Sequence, residues 1–155
     1  MTATATRSRR RAPAKAPEHS AYYSAEATND LLAGSIEWRL KRLAAGDMLS
    51  TDDAAKLLGT NRVTINNWIR ERRYFAVEGP TRGHKLPRWQ FQPPVCDKLA
   101  KILDILGADE AGWLTLLFLE TPAAALDGRT PRQALEQGEV KRVMQLAQAY
   151  ATADA

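Results

Sequence analysis

One cysteine, Cys96, leaves this chain without an internal disulfide. Two histidines, His19 and His84, cannot complete a metal site with that single thiol. Long apolar runs are missing as well. The longest, residues 114–119, is interrupted by Thr115 and is far too short to span a bilayer. No glycine loop of the phosphate-cradling kind occurs, and no serine or cysteine stands in a recognisable nucleophile setting. The amino terminus has no apolar stretch of the signal-peptide type; it is rich in Ala, Thr and Arg. These absences lead us to expect a cytoplasmic protein that is not an enzyme, carries no cofactor or metal and has no membrane partner.

Charge is present but unevenly spread. The net charge is +4 over 155 residues. Residues 1–20 set Arg7, Arg9, Arg10, Arg11 and Lys15 against Glu18. Residues 61–90 hold seven basic side chains against two acidic ones, whereas residues 92–155 hold six against nine. A basic middle and an acidic end suit different partners. Residues 1–20 have almost no large apolar side chain and two prolines, so they read as a disordered basic tail. That tail is either solvated or an arm that adds phosphate contacts.

Residues 51–70, TDDAAKLLGTNRVTINNWIR, carry the most information. Ala55 is small enough to sit where two helices touch, and Gly59 accepts a turn conformation that bulkier residues resist. Ile65 and Trp68 follow where a second helix must pack back on the first. This is helix-turn-helix spacing. Asn61, Arg62, Thr64, Asn66, Asn67 and Arg70 then face outward, and Asn and Arg suit bidentate contacts with adenine and guanine edges. The expected ligand is double-stranded DNA. Asn61, Arg62, Asn66, Asn67 and Arg70 would enter the major groove, while Thr64, Arg82 and Lys85 would hold phosphates. One half-site gives weak binding, so a homodimer or higher oligomer is expected.

Around this motif the pattern is mainly helical. Leu32, Ile36, Leu40 and Leu43 form one stripe over residues 24–45, which Gly34-Ser35 could divide, and it reads as a packing helix. Ser50 is a cap for a first motif helix ending near Leu58; the second should run from about Asn61 to Arg72. Residues 74–91 read as a β-hairpin wing with Thr81, Arg82, His84 and Lys85 at its tip. Val95, Leu99, Ile102 and Leu106 line a further helix, as core or as a dimer seam. Asp109 is the expected cap of a helix over residues 110–120, buried nearly all round through WLTLLFL. Thr130-Pro131 starts a short helix ending near Gly138, and a last one covers residues 139–150. Trp38, Trp68, Trp89 and Trp113 read as packing residues.

Two resemblances add to this. Residues 49–91, beginning LSTDDAAKLLGTNRVTINNWIRERR, resemble the MerR/excisionase type of winged helix-turn-helix. Residues 113–149 resemble the toxin-binding domain of the Xre/MbcA/ParS antitoxins. That likeness is carried by Trp113, Pro122, Leu126, Gly128, Arg129, Thr130, Pro131, Ala134, Leu135, Gly138 and Val143. It implies a bacterial antitoxin that occludes the active site of a RES-type, NAD-consuming toxin and represses its own operon. Toxin contacts are then expected from Arg129, Thr130, Arg132, Glu139, Arg142 and Tyr150. The wing departs from that family's usual wingless DNA-binding half.

The combined expectation is a mainly α protein. Residues 1–20 form a tail, residues 21–91 a winged helix-turn-helix with a leading helix, and residues 92–155 a helical toxin-binding or oligomerisation domain. The alternatives are a transcriptional regulator or recombination directionality factor of a mobile element whose C-terminal helices serve oligomerisation, and an adaptor for a non-toxin protein.

Overall fold

The computed structural model describes residues 25–81 and 83–153, with side chains from residue 34 onward. The basic tail at residues 1–20 and Arg82 lie outside the described residues. Packing divides the chain into residues 1–37 and residues 38–155. The chain is mainly helical, with one small antiparallel sheet. No helix among the described residues is long and apolar enough to cross a membrane.

Helix α1 (Ala25–Ala44) runs without a break through Gly34-Ser35, whose backbone stays helical. Of its apolar stripe, Leu43 packs against the core of residues 38–155, while Ile36 and Leu40 are exposed. The stripe is therefore only partly used for packing. Strand β1 (Met48–Ser50) leads directly into α2 (Thr51–Leu58). Ser50 caps α2 by accepting the Asp53 N–H at 3.1 Å, and Asp52 and Asp53 oppose the positive helix end. Gly59 ends α2 in the left-handed conformation, at φ 66°.

Helix α3 (Arg62–Arg70) begins at Asn61, whose Oδ1 accepts the Thr64 N–H at 2.9 Å. It stops at Arg70 rather than Arg72, because the chain turns through Arg72 at φ 58°. Ala54 and Ala55 of α2 meet Ile65 of α3, with Leu49, Leu58, Trp68 and Ile69 closing the cluster. Small residues on one helix let the other approach closely.

The hairpin comprises β2 (Val77–Glu78) and β3 (His84–Pro87). β3 is the central strand, with Leu49 opposite Leu86 on the β1 side and Val77 opposite Lys85 on the β2 side. His84 and Lys85 thus belong to a paired strand, not to the hairpin tip. A 3-10 turn at Arg88–Phe91 follows. There Gln90 is wholly buried and bonds the Phe75 backbone twice. Its Oε1 accepts the Phe75 N–H at 3.0 Å, and its Nε2 donates to the Phe75 carbonyl at 2.9 Å.

Helices α4 (Val95–Leu106), α5 (Trp113–Glu120), α6 (Pro131–Glu136) and α7 (Val140–Ala153) complete the chain. Val95, Leu99 and Ile102 are fully buried in a cluster with Val143 and Ala147 of α7, so the apolar face of α4 is internal core. The same cluster contains Met48, Phe75, Val77 and Trp89, and it is continuous from the sheet to α7.

Helix α5 starts at Trp113, three residues later than residue 110. Gly112, at φ 76°, precedes it. Asp109 still supplies a cap, reaching in from outside the helix to accept the Thr115 N–H at 2.9 Å and the Thr115 hydroxyl at 3.1 Å. The burial expected of WLTLLFL is interrupted, because Leu114 and Leu117 are 58 % and 46 % exposed.

The start of α5 is pinned to β2. The Glu78 N–H donates to the Ala111 carbonyl at 3.0 Å, and Trp113 Nε1 donates to the Glu78 carbonyl at 3.1 Å. Between them, a Cβ placed on Gly112 would lie 1.8 Å from the Ala76 carbonyl oxygen. Helix α7 extends to Ala153, beyond Tyr150.

Candidate functional site

The side chains expected to read DNA fall on different sectors of α3. Asn61 uses its carboxamide as a cap, since Oδ1 accepts both the Thr64 N–H and, at 3.0 Å, the Thr64 hydroxyl. Both groups are therefore committed to starting the helix. Arg62 is exposed at the flank, 3.9 Å from Asp52 of α2. Asn66 is half-buried, and its carboxamide makes no hydrogen bond among the described residues. Asn67 accepts a bond from Arg70 Nη1 at 3.3 Å, so these two groups form a pair on the outer side. Ile65 is 1 % exposed and marks the inner side.

Relative to Ile65, with a turn every 3.6 residues, the outermost positions are Val63, Asn67 and Arg70. Periodicity alone could have found Val63. By residue type alone, an apolar side chain beside Ile65 and Trp68 reads as core.

Lys85 shares a groove with Arg62. Its walls come from the end of α1 (Leu40, Leu43), the start of α2 (Ser50, Asp52), Arg62, and the hairpin (Pro80, Lys85). Two cations, Arg62 and Lys85, thus line one groove bounded by the end of α1, the start of α2 and the hairpin. Arg73, just past α3, lies over the Trp68 ring at 5.1 Å, and the Trp68 ring is 5.9 Å from that of Tyr74. Trp68 is accordingly a half-buried packing residue.

The C-terminal candidates are engaged within the chain. Arg129 donates from Nε to the Leu126 carbonyl at 3.0 Å and binds Gln137 and Glu139 through its other nitrogens. It ties the turn before α6 to the start of α7. Thr130 forms a reciprocal capping box with Gln133: the Gln133 N–H donates to its hydroxyl, and its own N–H donates to Gln133 Oε1. Arg132 bonds Glu136 at 3.0 Å and lies over the Trp89 ring at 5.1 Å. Arg142 donates to Asp127 at 3.1 Å and to the Ala125 carbonyl at 2.7 Å. Tyr150 is exposed, with its ring 5.2 Å from that of Phe118. It borders an apolar groove formed by Leu117, Phe118, Pro122, Pro131 and Leu146. Tyr150, Pro122 and Pro131 stand out in the sequence, but Leu117, Phe118 and Leu146 do not, because an all-apolar helix such as α5 has no periodicity to separate its outer side.

A half-buried ionic cluster joins α1, the lead-in to β1 and α5. Arg42 binds Asp47 at 2.7 and 2.8 Å and Glu120 at 2.6 and 3.0 Å. Glu120 also accepts from Trp89 Nε1 at 3.1 Å. The bond to Arg42 holds the Asp47 carboxyl below its ordinary value, and Glu120 followed by Asp47 push the Arg42 guanidinium upward. The Cys96 thiol is raised, by burial first and then by the Asp97 charge, which suppresses its thiolate. Among the described residues, no group of His, Cys, Asp and Glu could hold a metal ion.

Set against protein-family models, curated proteins and solved structures, the chain matches none.

Proposed function

We propose that this chain is an autoregulating antitoxin that binds operator DNA through a winged helix-turn-helix and blocks a toxin with its C-terminal helices. The DNA-binding half is supported by the order β1, α2, α3, hairpin, with the Asn67–Arg70 pair on the outer side of α3. In this reading α3 lies in the major groove, where Arg70 and Asn67 exchange their mutual bond for bidentate bonds to guanine and adenine edges. Arg62 and Lys85, which line one groove with the end of α1, the start of α2 and the hairpin, contact the flanking phosphates. Asn61 stays with its cap, and Thr64 is left with the backbone contacts that its side position allows.

The antitoxin half is supported by the likeness of residues 113–149 to Xre/MbcA/ParS toxin-binding domains. In this reading Arg129, Thr130, Arg132, Glu139 and Arg142 shape the surface, while Tyr150 and the apolar groove beside it touch a RES-type toxin. Steric occlusion needs no chemistry from the antitoxin. The exposed Leu114 and Leu117 favour a second reading, a mobile-element regulator that oligomerises through α5.

One experiment separates the two. The chain is co-expressed with the product of the adjacent gene while growth and cellular NAD are followed. The antitoxin reading expects that product alone to arrest growth and deplete NAD, and the chain to restore both in a stoichiometric complex. A harmless neighbour, with only self-association of the chain, removes the antitoxin reading and leaves the regulator.

A further inference from the structure

Resting on the DNA-binding reading above, a specificity contact follows from an apolar side chain at the outward centre of α3. Val63 is 67 % exposed and belongs to neither core cluster. With 3.6 residues per turn it lies about 160° around the helix from Ile65, between Arg70 at about 140° and Asn67 at about 200°. Val63 and Asn67 are neighbours at i and i+4, and Asn67 holds Arg70 at 3.3 Å.

Helix formation does not call for valine here. A β-branched residue is a poorer helix former than Ala, Lys or Glu. Isolated exposed apolar residues are ordinary on protein surfaces, but this one is framed by a carboxamide and a guanidinium on the outermost sector of the helix. The major groove offers such a side chain one apolar complement, the C5 methyl group of thymine. We infer that Val63 contacts a thymine methyl next to the bases read by Asn67 and Arg70, and so adds sequence specificity that the polar residues cannot supply.

The test uses the full chain. Its preferred duplex is first selected from a random pool. Each thymine in that duplex is then replaced by uracil, which removes the methyl and leaves base pairing intact. At one position the replacement should weaken binding about fourfold, the worth of one buried methyl group. Val63→Ser should bind the thymine and uracil duplexes equally, whereas Val63→Thr, which retains a methyl, should keep part of the preference. Equal methyl sensitivity in the parent and Val63→Ser, or no sensitive thymine at all, overturns the contact while leaving DNA binding in place. Failure to enrich any duplex removes the DNA-binding reading itself, and the contact with it.

Discussion

Gln90 does with one side chain what a strand pair does elsewhere: it satisfies both backbone groups of Phe75 inside the core. Replacing it with leucine keeps the bulk but orphans a buried donor and a buried acceptor. Gln90→Leu should lower unfolding stability by about 3 kcal/mol, read as a lower denaturant midpoint at unchanged slope. Nothing in the sequence flags this residue. It sits in RWQF, fifteen positions from its partner, and a polar residue there reads as exposed.

Asp47 gives a second prediction at this scale. Its carboxyl is depressed in the fold by Arg42, so its contribution is present above its ordinary value of 3.8 and is lost as pH falls through the lower folded value. Acid titration of thermal stability should therefore show a loss below that ordinary value, and Asp47→Asn should remove the corresponding part of the slope. An identical profile in the variant would show that other carboxylates govern the acid transition.

At the level of elements, the chain declares its helix boundaries better than its surfaces. Ser50, Gly59 and the Thr130-Pro131 pair are local signals, and each acts locally in the fold. The start of α5 was not legible, because Asp109 caps it from six residues before Thr115 and Gly112 delays the first turn. Periodicity located the core of α4 but did not say what covers it. That is settled by α7, forty residues along the chain.

Helix α3 supplies the functional prediction. Asn67→Ala combined with Arg70→Ala should abolish preference for a selected duplex over random DNA while leaving thermal stability nearly unchanged, since neither side chain is buried. Loss of stability comparable to a core substitution would show that the pair is structural. Glycine 112 supplies the converse case. Gly112→Ala meets both a positive φ and the Ala76 carbonyl, so it should cost about 3 kcal/mol or more by thermal unfolding. A variant as stable as the parent would mean that α5 is not seated on β2 as described.

Across the molecule, the core decides how much of the chain folds together. Residues 38–155 form one compact unit, and Phe75, Val77 and Trp89 share a cluster with Val95, Leu116 and Val143. Unfolding of this unit should be a single transition, with tryptophan fluorescence and helical circular dichroism moving together. A chain ending at Pro122 should lose both signals instead of retaining a folded N-terminal half. Two separate melting steps would argue against a shared core. The change of charge between the middle and the end of the sequence suggested different partners, and it carries no information about which apolar surfaces meet.

The seam at Gly112 also bears on how such a chain can change over evolutionary time. A recombination event that joined a different C-terminal segment to the elements before it would need to bring a glycine at its entry, an indole that donates to the Glu78 carbonyl, and a carbonyl for the Glu78 N–H. Exchanging that segment alone would leave the seam unmade.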